Sequence, residues 1–141
     1  MKRDAALRLL RVASGGVFVV FGAGKFVSHA SELASFKSYG LPAPGAFVIV
    51  IGVIELVGGL LLIAGVLTGP AALVLAGEMV GAIIVSGIAR GELTSLTLAP
   101  AELVAMIALL WSGAARWSLV RPDRMLPGDV VRVGRQPSRS T

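Results

Sequence analysis

The chain has 141 residues, 55% of them hydrophobic and only 15% charged, with a mean hydropathy of +0.86. Soluble globular domains carry about 25% charged residues, so this composition excludes an ordinary water-soluble fold. The net charge of +5 does not mark a nucleic-acid binder. The basic residues flank apolar runs near the chain ends, which is a membrane-topology pattern. Cysteine is absent, which rules out disulfides and any electron relay through the chain's own thiols.

Four apolar segments follow one another, each near the roughly 20 residues that cross a bilayer as a helix. They run from Leu9 to Val27, from Ala43 to Val66, from Pro70 to Ala89 and from Leu96 to Trp117. Lipid offers no partner for backbone N–H and C=O groups, so these segments are expected to be helices. They show no apolar–polar alternation, which argues against a barrel. The opening "MKRDAALRLLR", followed by an apolar run and "SHA", also has the outline of a secretory signal. Lys25 inside the end of that run fits a cleaved signal poorly, and the segment is read as the first span.

Between the first two segments lies "SHASELASFKSYG", Ser28 to Gly40. Ser31 can cap a helix there, and Leu33, Phe36 and Tyr39 recur every three residues. A short helix in the membrane interface is expected. "GLPAPG" then starts the second span. "LTGP", Leu67 to Pro70, is short enough to make the second and third spans an antiparallel hairpin. The expected fold is therefore all-α: an antiparallel four-helix membrane bundle over residues 1–120, with a short interfacial helix between helices 1 and 2. A basic, partly disordered tail follows over 121–141. Ten of the 13 Lys and Arg residues flank the side of the two termini, which predicts both termini in the cytoplasm.

Charges inside the spans are the candidates for function. Glu55 sits near the middle of the second, where a carboxylate costs about 2.5–3.5 kcal/mol. Glu78 lies in the third span, Glu102 in the fourth and Lys25 in the first. Counting from the expected helix ends at ~1.5 Å per residue puts Glu55 and Glu78 at one level near the midplane. Lys25 and Glu102 fall in the outer third, as a second expected pair; Glu32 is the other candidate partner of Lys25, and Glu102 could equally pair with Arg90 or simply suit the dipole in the first turn of its helix. Gly52, Gly58 and Gly59 share a face with Glu55. Gly81 shares one with Glu78, and Gly22 one with Lys25. Small residues mark close helix approach, so the charges are expected to point into the bundle. The pattern contains no metal-ligand cluster, no nucleophile-and-base arrangement and no phosphate-binding glycine loop. His29, the single histidine, reads as a loop residue.

"FVVFGAGKF", the loop ending in "YGLPAP", and "GVIELVGGLLLIAGVLTGPAAL" together resemble the DoxX family. Gly24-Lys25-Phe26, Gly40-Leu41-Pro42 and Glu55 with Gly58-Gly59 carry the resemblance, which spans roughly Leu7 to Trp117. It implies a small four-helix protein of the bacterial plasma membrane, linked to membrane redox and oxidant-defence systems. On that basis the chain is expected to be an accessory subunit of an oxidoreductase system rather than an enzyme alone. The bundle would hold a quinone-like apolar ligand, with Glu55 and Glu78 handling the proton and Lys25 orienting a carbonyl; Glu102 is a further candidate for ligand or proton binding. Expected partners are the lipid bilayer, a redox enzyme and further copies of the chain. Two other readings stay open: a proton-coupled small-molecule transporter using the buried glutamates, and a scaffold or chaperone without a ligand.

Overall fold

A computed structural model of the chain describes residues 2–112. The expected tail over 121–141, and the last residues assigned to the fourth segment, lie outside the described residues. The elements, in order, are α1 (Lys2–Val27), α2 (His29–Ser38), α3 (Pro44–Ala64), α4 (Thr68–Ala82), a π-helical turn (Ile83–Ile88) continuing α4, and α5 (Leu93–Trp111). Among the described residues, four helices are long and apolar enough to cross a membrane: α1, α3, α4 with its π turn, and α5. Their outer faces carry exposed apolar side chains, among them Val53, Val57, Leu60, Leu73 and Val104. In water such a surface would drive association; in lipid it is the solvated face.

The interfacial helix is present as α2. Ser28, not Ser31, stands at its N-cap position, and no side chain caps it. The α3–α4 hairpin closes as the short "LTGP" link requires. Gly65 takes a left-handed φ of 74°, and the N–H of Val66 donates to the Leu61 carbonyl at 3.0 Å. This six-to-one bond is the Schellman closure, for which glycine suits because it lacks a Cβ. The Arg11 guanidinium packs against Gly65, placing a cation at the negative end of the α3 dipole.

Glycine sets the register of α1 against α3. Gly15 lies at Gly59 and Ile63, Gly22 at Gly52 and Leu56, and Lys25 at Gly52. A Cβ added at Gly15, Gly22 or Gly59 would come within 2.7 Å of backbone atoms of the other helix. Here the helices touch main chain to main chain, as small residues permit. The register shifts α1 along the bundle. Its first turns run past the end of α3, and its last turn stops beside Gly52, about two turns inside α3.

The bundle is filled unevenly. Phe18, Leu62, Leu75, Met106 and Leu109 are almost completely buried and pack the half nearest the α3–α4 turn. In the other half, a cavity opens among the helices, with Glu32 and Phe36 of α2 on its wall.

Candidate functional site

The cavity has a volume of about 600 Å³ and takes wall residues from every helix. Its apolar surface includes Phe18 and Phe21 of α1, Phe36 of α2 and Phe47 of α3. Among these stand Lys25, Glu55, Glu78 and Glu102, so all four charged residues singled out in the sequence face one space.

Lys25 and Glu55 form an ion pair, Nζ to Oε2 at 2.6 Å, with the two side chains 9% and 6% exposed. This corrects the expected pairing of Lys25 with Glu102. The expectation counted depth from each helix end as though all ends were level. The shifted register of α1 lowers Lys25 to the level of Gly52, one turn from Glu55. Glu78 lies beside Glu55, close enough for its carboxyl to interact directly with that of Glu55 and with the charge of Lys25. The α3–α4 hairpin produces this meeting: Gly58 packs on Leu75, and one turn farther from the link Glu55 comes opposite Glu78. Lys25, Glu55 and Glu78 thus form a buried triad of one ammonium and two carboxyls. A single proton on the carboxyls makes the triad electroneutral.

Glu102 stands apart from that triad. It is 8% exposed and lies near Ser14 of α1, itself buried. Oε2 of Glu102 and Oε2 of Glu78 are both buried without a hydrogen-bond partner. Unpartnered buried polar atoms are uncommon and call for an explanation.

Of the expected packing glycines, Gly22, Gly52, Gly58 and Gly59 are all buried at helix contacts. Gly81 is not: a Cβ there would meet nothing within 4 Å, and the residue lines the cavity. Gly77, one turn earlier, is alike on both counts. On α4, then, glycine makes room instead of contact. Gly15, not singled out in the sequence, belongs to the α1–α3 seam.

A second polar group at the cavity escaped the sequence reading. Tyr39, following α2, donates from Oη to Glu92 Oε2 at 2.8 Å. Ser95 Oγ also reaches Glu92 Oε2, at 3.3 Å, and hydrogen-bonds to Ser86 Oγ. Glu92 stands at the N-cap position of α5 without making a capping hydrogen bond, and its carboxylate suits the positive end of the helix dipole. Ser86 lies in the π turn and donates to the Ala82 carbonyl at 2.8 Å. A π turn adds a residue to the helical repeat and redirects the side chains after it. Here Ser86 points across to Ser95 of α5. Burial, followed by the Glu92 carboxylate, pushes the Tyr39 phenol up to about 12. These contacts tie α2 to the start of α5 over the cavity. The only sequence signal was Glu92 standing just before an apolar run.

Among the described residues no group of three or more His, Cys, Asp or Glu side chains is arranged to hold a metal ion. The arrangement can enclose an apolar molecule, offer it hydrogen bonds and exchange protons with it.

A family model described as DoxX matches residues 6–88. The Mycobacterium tuberculosis protein "Uncharacterized membrane protein Rv3486" is 35% identical, with 79% of this chain and 77% of that protein covered. "Putative oxidoreductase CatD" of Bacillus subtilis is 41% identical, but the match covers 54% of this chain and 55% of that protein. No solved structure matches the chain. With the family model covering more than half of its length, and with four helices able to span a membrane, the chain belongs to the DoxX family of membrane proteins.

Proposed function

We propose that this chain is the membrane component of an oxidoreductase system, and that its cavity holds a quinone-like molecule. The observation that carries the reading is the cavity itself. It has about 600 Å³ of space inside a membrane bundle, phenylalanines along its walls, and the Lys25–Glu55–Glu78 triad facing into it. Binding sites for small molecules have this form: mostly apolar walls with a few convergent polar groups. The name carried by the Bacillus subtilis relative supports a redox setting.

A quinone becomes a quinol by taking two electrons and two protons. The electrons come from a partner oxidoreductase at the membrane face. The part of this chain is to bind, orient and protonate. An ammonium has three donors. Glu55 takes one from Lys25, which leaves the others for a ligand carbonyl. The triad's shared proton is positioned beside the same space, and Glu78 is its carrier toward the ligand; the second proton, and the one that reloads the carboxyls, enter from water at the mouth of the cavity. Apolar walls exclude water, so these polar contacts act in a low dielectric.

The test is saturable binding of a short-chain quinone to the purified full chain in detergent, measured by equilibrium dialysis. Lys25→Met and Glu78→Gln are each expected to weaken binding about tenfold, which corresponds to ~1.4 kcal/mol. Absence of saturable binding to a protein that keeps its helical circular dichroism overturns the reading.

A further inference from the structure

The charge of the cavity walls is one-sided. Among the described residues, the ionisable groups facing the space are Lys25 from α1, Glu32 and Tyr39 from the α2 region, Glu55 from α3, Glu78 from α4, and Glu92 and Glu102 from the start and middle of α5. That is five carboxyls and one ammonium. The ammonium is already held by Glu55 at 2.6 Å. Glu92 receives the Tyr39 hydroxyl and the Ser95 hydroxyl at the exposed rim. Among the described residues, what remains deep in the cavity outside the Lys25–Glu55–Glu78 triad is the acid Glu102. Glu78 and Glu102 each keep a buried Oε2 with no hydrogen-bond partner. Glu102, 8% exposed, is not in the Lys25 ion pair.

We infer that this cavity binds a lipophilic organic cation, with Glu102 as its principal counter-ion. The polar neighbour of Glu102 is the Ser14 hydroxyl, which carries no charge; a buried carboxylate without a counter-charge is costly, and such a group neutralises by holding a proton. An arriving cation removes that need. The exchange balances simply: the Glu102 O–H bond breaks, the carboxylate pairs with the cation, and one proton leaves by the mouth of the cavity. No electron moves. The aromatic walls decide the kind of cation. A small inorganic ion needs a shell of oxygens, and the described carboxyls are not gathered into one. A cation with delocalised charge and an apolar body fits instead. The aromatic rings of Phe21, Phe36 and Phe47 on the walls can solvate its charge, and its body replaces nothing more costly than apolar space. The volume of about 600 Å³ lies within the ordinary range for such ligands.

This inference shares the cavity with the redox reading but does not rest on it. Short-chain quinone binding without cation binding overturns this inference alone. Cation binding without quinone binding overturns the redox reading alone.

The probe is tetraphenylphosphonium, added to the purified full chain in weakly buffered detergent solution, with bound cation and released protons measured together. The expected result is saturable binding that tightens as pH rises, with about one proton released per cation bound. Glu102→Gln keeps the size of the side chain but cannot ionise. It is expected to weaken binding at least tenfold and abolish the proton release. A neutral molecule of similar size and aromatic surface, triphenylphosphine oxide, is expected to bind more weakly than the cation. If Glu102→Gln does not fold, the wild-type chain still decides the matter. Dicyclohexylcarbodiimide attaches to protonated buried carboxyls, and tetraphenylphosphonium is expected to suppress its attachment at Glu102, as mapped by mass spectrometry. The inference is overturned by any one of four results: no saturable cation binding, equal binding by folded Glu102→Gln, equal binding of the neutral molecule, or carbodiimide labelling unchanged by the cation.

Discussion

Along the α1–α3 seam, Gly15, Gly22 and Gly59 let two helices meet main chain to main chain. On the cavity side of α4, Gly77 and Gly81 have open space where a side chain would stand. One residue type closes a contact on one side of the bundle and keeps a space open on the other. The difference teaches that a glycine in a membrane helix cannot be assigned to packing from its spacing alone. What matters is whether another backbone arrives opposite it. The Lys25–Glu55 pair stands where the two regions meet, anchored on the tight seam and facing the open space.

That junction gives the largest expected effect. Lys25→Met leaves Glu55 and Glu78 without their cation, at about 3–5 kcal/mol; Glu55→Gln should cost less, because Glu78 remains within reach of the Lys25 charge. The double variant should recover a substantial part of the loss. Thermal unfolding in detergent measures all three. Strictly additive losses would mean that the pair is not coupled, and the seam would then carry no charge into the cavity.

Alanine at the two kinds of glycine tests the contrast itself. A Cβ at Gly59 would lie 2.6 Å from the Gly15 carbonyl oxygen, which is backbone and cannot swing away. Gly59→Ala should therefore cost about 3 kcal/mol, the upper part of the range for overpacking. A Cβ at Gly58 meets only the Leu75 side chain, at 3.1 Å, and that side chain can yield. Gly58→Ala should cost about 1 kcal/mol. Gly81→Ala meets nothing and removes backbone freedom from the unfolded chain, so it should stabilise by about 0.5–1 kcal/mol. Any other order of the three melting temperatures breaks the distinction between seam and cavity wall.

The smallest effect concerns the bond between Tyr39 and Glu92. Tyr39 is the chain's single tyrosine, so ultraviolet absorbance titrates it alone. Its phenol is pushed up to about 12, first by burial and then by Glu92. The value is raised on folding, so the neutral phenol belongs to the folded state. The stability it contributes is fully present below the ordinary phenol value of about 10. It is lost as pH rises through about 12, when ionisation breaks the hydrogen bond to Glu92. Glu92→Gln should move the titration midpoint back toward 10. A wild-type midpoint at the ordinary value would mean that α2 is not held to α5 in this way.

Much of the architecture was written into the sequence. Spans of about 20 apolar residues, the Pro70 and Gly65 signals at the hairpin, and the lack of alternation require membrane helices, since no other element satisfies its backbone in lipid. The meeting of Glu55 with Glu78 was also legible. A short link fixes the register of a hairpin, so equal distances from that link become equal depths. The ion pair was not legible, because α1 and α3 are joined through α2 and the "GLPAP" connection, which leaves their relative height free. That height is settled by glycine contacts between Gly15, Gly22, Gly52 and Gly59, and it carries Lys25 from the expected level of Glu102 to that of Glu55. The Tyr39–Glu92 bond joins residues 53 apart, and no local pattern relates them. The Ser86–Ser95 contact joins the π turn to α5, and no local pattern announces it. Sequence alone determined which residues must be helical and which charges must be sheltered. The tertiary structure decided which charges share a shelter, because side-chain partners follow from the height and rotation of whole helices, which are set by contacts between segments distant in the chain.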